Sequence, residues 1–229
     1  MKFKKEYLKE DEKGRIIASI YRYLGVAPAL RLRNTSITPN QLSIIGFIFG
    51  MLSAFFFSVG SYPCLMIGLL TYQICIILDC SDGTLARLKN MTSFLGEWLE
   101  WVFDLVREFF VIFGICWGLY RLNTNAMVWV LGFILCGANF MMDIQTITFK
   151  SFPFTKKGIN SFVPKNKLYK IGEQFVAIRT VKYLTIIFFA IINRMFLFLG
   201  FFSIYNILVF LLIAFSLWKI TRQWENSNR

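Results

Sequence analysis

Four carboxylates lie within 26 residues of a strongly apolar chain, at Asp79, Asp82, Glu100 and Asp104. On helices, the first two are three residues apart and the last two are four apart, so each pair shares one helix face. Acids clustered beside hydrocarbon repel each other and lose hydration, and they therefore need protons or cations among them. Oxygen-only ligands favour Mg²⁺, Mn²⁺ or Ca²⁺ over zinc. The pattern indicates a divalent-cation site, and two such ions would form an electropositive cradle for a diphosphate.

Other kinds of site are excluded or disfavoured by the residues present. The chain contains no histidine, which excludes Ser-His catalysis, His-ligated zinc and imidazole acid-base chemistry. An EF-hand that starts at Asp79 would need glycine and glutamate at the positions of Thr84 and Asn90. The five cysteines form no CxxC pair and lie mostly in apolar runs, so we interpret them as core residues.

The spacing also predicts how the two acidic faces meet. Gly83 and Ala86 continue the face of Asp82, and Gly96 lies one turn before Glu100. Such small residues let helix backbones approach each other or a ligand closely. An antiparallel helix pair, joined by the short basic loop between these faces, would bring all four carboxylates together at one end of the pair.

The composition predicts an all-α, polytopic membrane helix bundle. The 229 residues are 56% hydrophobic, and the mean hydropathy is +0.57. A membrane-spanning helix needs about 20 predominantly apolar residues, and we find segments for six transmembrane helices. Four are 42–60, 62–78, 93–120 and 126–147, and the run 183–218 is divided into two near 194–202 because it is too long for one span.

Basic residues predict the orientation of these helices. Lys and Arg number 9 in residues 1–41, 2 in the second connection, 8 in 150–182 and 3 after 218, out of 25 in the chain. Since cytoplasmic connections collect basic residues, both termini and the acidic faces are predicted to be cytoplasmic. The net charge of +12 then reflects contact with anionic membrane lipid, and nucleic acid is not an expected partner.

Three parts of the chain are predicted. Residues 1–41 form a cytoplasmic juxtamembrane segment without the apolar core of a cleavable signal, 42–222 form the six-helix catalytic domain, and 223–229 form a cytoplasmic tail. An amphipathic helix on the membrane surface is predicted from apolar residues at helical spacing, namely Ile16, Ile17, Ile20, Tyr21 and Leu24. The basic segment 150–182 is interpreted as a positive-inside connection rather than a surface that gathers anionic substrate.

The stretch from Asp79 agrees in every spacing with a known signature, written D-x2-D-G-x2-A-R-x8-G-x3-D-x3-D. By this pattern the chain resembles the CDP-alcohol phosphotransferases, a family of integral-membrane enzymes. One of the eight fixed positions departs, because Glu100 stands where the family has its third Asp. A weaker similarity extends to Thr38-Pro39-Asn40, and the six predicted helices also agree with the family.

The resemblance implies an enzyme that transfers a phosphatidyl or phospho-alcohol group from a CDP-linked donor to an alcohol hydroxyl and releases CMP, in phospholipid or related headgroup synthesis. The implied donor is CDP-diacylglycerol or a small CDP-alcohol, the implied cofactors are two divalent cations, Mg²⁺ or Mn²⁺, and the implied assembly is a homodimer. The implied roles are metal binding by Asp79, Asp82, Glu100 and Asp104, removal of the acceptor's proton by Asp104, and donor binding by Asn40, Gly83, Ala86 and Arg87.

Other interpretations stay open at this point. Intramembrane carboxylates are also typical of cation-coupled transporters. The extra methylene of Glu100 is compatible with a ligand that reaches farther, with a weakened metal site, or with a family member that lacks activity. Arg107 is interpreted as the partner of Asp104 in an ion pair along one helix. Asp143, an acid at the inner end of the fourth span, is a candidate for lining the acceptor pocket.

Overall fold

The structure is a computed structural model that describes residues 16–151 and 178–227, with the side chains of 20–145, 182–219, 221 and 222. The described residues form helices and no strands, which confirms the all-α prediction. The helices are α1 (Ile16–Leu32), α2 (Pro39–Val59), α3 (Tyr62–Leu88), α4 (Phe94–Asn123), α5 (Met127–Ser151), α6 (Ile178–Ile191) and α7 (Met195–Ser227).

Four of these helices are long and apolar enough to cross a membrane, namely α2, α3, α5 and α7. Helix α4 has 30 residues, which is long enough at ~1.5 Å per residue, but its first half carries several charges. Helix α6 has only 14 residues. The six predicted segments therefore lie mainly in helices, whereas length and composition support four spans among the described residues.

The break in the long apolar run lies at residues 192–194, at the N-terminal edge of the predicted interval 194–202. Asn193 adopts a left-handed conformation with φ 54°, which asparagine tolerates better than most residues. Its amide N–H donates to the carbonyl of Ala190, and that of Arg194 donates to Phe189. These bonds end α6, so that the following helix starts at Met195, seven residues before the end of the predicted interval.

The start of α2 is fixed by its own sequence. The amide of Gln41 donates to the Thr38 hydroxyl at 3.3 Å, and the amide of Thr38 donates to Oε1 of Gln41 at 2.9 Å, which forms a capping box. Pro39 occupies the first turn, where its missing N–H leaves no bond unmade. The sequence Thr38-Pro39-Asn40 is thus explained locally as a helix start that places Asn40 in the first turn.

Helices α2 and α4 run side by side at backbone contact. A side chain at Gly114 would collide with the carbonyl oxygen of Ala54, and one at Gly118 with that of Phe57. At the other end of the pair, a Cβ on Gly96 would lie 3.3 Å from Oδ1 of Asn40. Helix α3 packs antiparallel to α2, with Gly46 beside Leu78 and Gly68 beside Phe57, so α2 joins α3 and α4 into one unit.

Helix α1 packs on α3 through Gly25, whose Cβ, if present, would lie 2.7 Å from Cβ of Cys80. The Tyr21 hydroxyl donates to Oε1 of Gln73 at 2.7 Å, and burial, with Cys80 nearby, raises the pKa of Tyr21 to about 12. Ile20 and Leu24 lie on the outer face and are exposed. The predicted helix is therefore present, while its position on a membrane surface stays a prediction.

Two connections at the same end of the bundle are joined by Lys89. Its Nζ donates to the carbonyl oxygens of Thr35 and Ile37, each at 2.7 Å. Lys89 ends α3, and Ser93 begins α4 by accepting a hydrogen bond from the amide of Gly96 at 3.1 Å. The short loop after α3 is thus held against the connection that precedes α2.

Candidate active site

A cavity of about 240 Å³ opens between α1, α2, α3 and the start of α4. Its walls combine carboxylates, two arginines, hydroxyl groups and small residues from these elements. They are Arg22, Pro39, Asn40, Ser43, Asp79, Cys80, Asp82, Gly83, Ala86, Arg87, Met91, Thr92, Ser93, Gly96, Glu97 and Glu100. A concave site of this size with converging polar groups is the usual form of a ligand pocket.

Most of the residues that the sequence assigns to a site share this cavity. Seven of them form its walls, namely Asn40, Asp79, Asp82, Gly83, Ala86, Arg87 and Glu100. Asp104 is not on these walls, because its carboxylate is turned to Arg107. Asp143 lies away from the cavity, in a separate groove between α4 and α5. The antiparallel arrangement of α3 and α4 thus gathers three of the four acids around one space.

Asp82 is the most buried of the four acids, with 4% of its surface exposed. It accepts a hydrogen bond from the Ser43 hydroxyl of α2 and another from the amide of Gly83. Ser43 lies one turn after Pro39, so the capped start of α2 determines where this hydroxyl points. Two donors therefore orient the Asp82 carboxylate at the cavity wall.

Arg107 connects the acidic faces of α3 and α4. Its guanidinium donates to Oδ1 of Asp104 at 2.5 Å, along α4, and to Oδ1 of Asp79 at 3.3 Å, across to α3. Only 6% of the Arg107 side chain is exposed. The absence of a side chain at Gly50 provides its space, since a Cβ there would lie 2.8 Å from both Cγ and Cδ of Arg107.

A small recess continues inward from the cavity to Arg107. Its volume is about 10 Å³, close to that of one water-sized particle, and Ser43, Asp79, Asp82 and Glu100 line it together with Arg107. Carboxylate and hydroxyl oxygens are the donors that Mg²⁺ and Mn²⁺ prefer. Within the described parts of the chain, no three His, Cys, Asp or Glu side chains are close enough together to hold a metal ion.

The donor set nevertheless fits a hard divalent ion. Asp79 and Asp82 border both the cavity and the recess, as does Glu100, whose side chain is exposed and long enough to turn inward. These three carboxylates have no histidine beside them and carry the charge that such an ion neutralises. The chemistry of these donors, rather than a preformed cage, therefore supports a divalent ion here.

Two arginines give the outer cavity a positive side. Arg87 lies one turn after Gly83, and its guanidinium donates to the Thr84 hydroxyl at 3.2 Å. A Cβ on Gly83 would meet only Nη1 of Arg87, at 3.7 Å, so the backbone faces open space at this position. Arg22 approaches from α1. Guanidinium groups beside an accessible backbone are suited to phosphate oxygens.

Three contributions to the site were not predicted from the sequence. Arg22 belongs to a helix that we assigned to the juxtamembrane segment. Ser43 lies in an apolar run, where a single hydroxyl does not indicate a functional site. The pairing of Arg107 with Asp104 was predicted, and the structure adds its contact with Asp79. A signal existed for Arg107, because a cation one turn beyond an acid in an apolar helix requires partners.

A second polar cluster lies one turn farther along α4. Glu108 accepts hydrogen bonds from Lys182 of α6 and from Nδ2 of Asn139 of α5, and Nδ2 of Asn206 in α7 donates to Oδ1 of Asn139 at 2.9 Å. Lys182 is 6% exposed. We call these four residues the Glu108 cluster, and it borders a mostly apolar groove of about 440 Å³ that also contains Asp143.

Comparison with known proteins gives a match over most of the chain. Residues 36–218 match the family described as CDP-alcohol phosphatidyltransferase. A stretch of 87 residues is 33% identical to the archaetidylinositol phosphate synthase of Pyrococcus horikoshii and covers 38% of this chain and 45% of that protein.

Two further relatives match this chain over a shorter stretch and over a longer one. A stretch of 68 residues is 41% identical to the bifunctional IPC transferase and DIPP synthase of Thermococcus kodakarensis, covering 30% of this chain and 15% of that protein. A stretch of 111 residues is 32% identical to the inner membrane protein YnjF of Escherichia coli, covering 48% and 52%. The matched stretches span about half the length of these relatives or less.

Proposed function

Because the chain belongs to the CDP-alcohol phosphatidyltransferase family, we propose that it transfers a phosphatidyl or phospho-alcohol group from a CDP-linked donor to an alcohol hydroxyl and releases CMP. The observation that carries this proposal is the cavity, where seven of the eight residues assigned from the sequence meet. Acids together with Arg87 and Arg22 around one cavity suit a diphosphate with its cation better than a translocated cation alone.

The proposed cofactor is a divalent cation, Mg²⁺ or Mn²⁺. Asp79, Asp82 and Glu100 would hold it at the recess, and the resemblance adds Asp104 as a ligand and implies two ions, a number that remains a prediction. When bound, such an ion neutralises charge on the bridging and leaving oxygens of a diphosphate.

The remaining site residues have proposed roles in binding and proton transfer. Arg87 and Arg22 bind phosphate oxygens of the donor, while Gly83, Ala86 and Asn40 allow the nucleotide to approach the backbone at the cavity wall. Asp104 accepts the proton of the acceptor hydroxyl, a task for which a carboxylate must come within hydrogen-bonding distance of that hydroxyl. Direct displacement requires no covalent enzyme intermediate, which agrees with the lack of a candidate nucleophile in the motif.

The acceptor and the membrane arrangement are also proposals. Because the Pyrococcus relative is an archaetidylinositol phosphate synthase, a phosphorylated inositol is the first acceptor to test with a CDP-linked lipid. We further propose six spans, with α4 and α6 as the additional two, and a cytoplasmic site in a homodimer. The distribution of Lys and Arg supports this orientation, because the connection that joins α3 to α4 is basic and borders the cavity.

The test is CMP release by the purified protein from a panel of CDP donors, with acceptor and Mg²⁺ or Mn²⁺ added. We expect metal-dependent release that falls by about 100- to 10,000-fold in Asp104→Asn, the usual contribution of a general base. Glu108→Gln is the matched control, since it removes an acid one turn away that does not border the cavity, and it should retain activity.

A fully active Asp104→Asn would contradict the proposed base. A folded protein that releases no CMP from any donor, but carries Mg²⁺ or another cation across liposome membranes, would instead support the transporter interpretation.

A further inference from the structure

Ser43 joins the first turns of α2 to the most buried acid of the site. Its hydroxyl donates to Oδ2 of Asp82, and the amide of Gly83 donates to Oδ1 of the same carboxylate. Each oxygen of Asp82 therefore has a donor of its own. Because the last torsion of an aspartate side chain is otherwise broad, the two bonds together fix the plane of a carboxylate that is only 4% exposed.

The short side chain of Ser43 reaches Asp82 because α2 and α3 lie close together at this level. Three residues after Ser43, a Cβ on Gly46 would lie 3.4 Å from Cβ of Leu78. The capping box begins α2 at Pro39 and thereby sets the register in which Ser43 faces α3. The position of the hydroxyl at the cavity wall is thus determined by the helix start and by the packing of the two backbones.

The Ser43 hydroxyl also has a second acceptor within reach. The carbonyl oxygen of Pro39, one turn earlier in α2, lies 3.2 Å from its Oγ. A hydroxyl group has one hydrogen, which it can donate to this carbonyl or to Asp82. When Asp82 turns toward a ligand in the cavity, the hydroxyl can therefore donate to its own helix, and no buried donor is left without a partner.

We infer that Ser43 is a positioning residue of the site, which holds the Asp82 carboxylate in one orientation and can release it to a bound cation. This inference rests on the proposed function, since Asp82 is one of the proposed metal-binding residues. Ser43 borders both the cavity and the recess, as Asp82 does, and it lies outside the signature that begins at Asp79. Hydrogen bonds that orient a metal ligand typically contribute about 10- to 100-fold to metal affinity or activity.

The test compares two variants of nearly equal shape, since Ser43→Thr keeps the hydroxyl and Ser43→Val lacks it. Full-length protein in detergent is titrated with Mn²⁺ without any donor, and free ion is followed by electron paramagnetic resonance. We expect Ser43→Val and the smaller Ser43→Ala to raise the Kd for Mn²⁺ by about 10- to 100-fold, and Ser43→Thr to stay close to the natural sequence. Ser58→Ala is the matched control, because the Ser58 hydroxyl also donates to a carbonyl of α2, that of Phe55 at 2.7 Å, and its Kd should not change.

The Mg²⁺ dependence of CMP release gives a second measurement on the same variants. We expect Ser43→Val and Ser43→Ala to need more Mg²⁺ for half-maximal release, and Ser43→Thr to recover the natural dependence. Equal Kd values for Ser43→Thr and Ser43→Val would overturn the inference, as would a natural sequence that binds no Mn²⁺. If the Kd values differ as expected while the natural sequence releases no CMP from any donor, the proposed function alone is contradicted.

Discussion

Two buried cations lie within one turn of each other along α4. Arg107 belongs to this helix, whereas Lys182 reaches it from α6 through Glu108, and the surroundings of the two cations differ. Arg107 is paired with Asp79 and Asp104, and two more acids lie around the adjoining recess. Lys182 is paired with Glu108, which also accepts a hydrogen bond from the neutral amide of Asn139. The first region has more negative than positive charge, whereas the second has one of each.

The difference indicates what each region does. In the Glu108 cluster, an ion pair and two amides connect α4, α5, α6 and α7. This cluster therefore has a structural explanation. The cavity and the recess keep an excess of carboxylates even when Arg22 and Arg87 are counted with Arg107, since five acids face three arginines, and such an excess near hydrocarbon is stabilised by a further cation. Surplus charge, more than burial, therefore distinguishes the candidate active site.

The largest effect on stability is expected at the balanced cluster. Lys182→Met leaves Glu108 buried without its cation and should lower the free energy of unfolding by about 3 kcal/mol, the lower end for broken buried pairs, since 24% of the Glu108 side chain is exposed. Denaturant unfolding in detergent measures this change. The double variant Lys182→Met with Glu108→Met should recover most of the loss, and failure to recover would argue that Lys182 has another role.

A smaller effect is expected from the space around Arg107. Gly50→Ala introduces a Cβ at 2.8 Å from Cγ and Cδ of Arg107, so the guanidinium must shift, and we expect a loss of about 1–3 kcal/mol. Gly137→Ala is the matched control, because no atom lies within 4 Å of its Cβ position. Thermal unfolding of both variants measures the difference. Equal behaviour of the two would contradict the close packing of α2 against Arg107.

The smallest effect is expected at Glu100. Glu100→Asp restores the residue that the family signature carries, and we expect unchanged or slightly higher metal-dependent CMP release. Glu100→Ala removes the carboxylate and should lower the release, and the Mn²⁺ affinity with it. Turnover that Glu100→Ala leaves untouched would exclude Glu100 as a ligand, and the difference between the two polar regions would then rest on Asp79 and Asp82.

Local sequence was sufficient for much of the site. Spacings of three and four place Asp79 with Asp82 and Glu100 with Asp104 on single faces, and the turn between helices then brings the faces together. The start of α2 at Pro39 also follows from its own residues. These features depend on helix geometry and caps, which act within a few residues of chain.

The contacts between distant helices could not be predicted in the same way. Whether Arg107 reaches Asp79 depends on how closely α4 approaches α3 and on the space at Gly50, 57 positions earlier in the sequence. The contribution of Arg22 depends on α1 packing against Cys80. Apolar composition also predicted more spans than length and charge support, because α4 mixes an acidic half with an apolar half and α6 is short.

The contact made by Lys89 bears on the order in which the protein is assembled during synthesis. Its two hydrogen bonds join residues 54 and 52 positions apart, across two complete helices. Since a chain is made from its N-terminus, the connection before α2 must wait for the end of α3 before it is held in place. The pocket therefore cannot be complete until α3 and the start of α4, which supply most of its walls, have both been made.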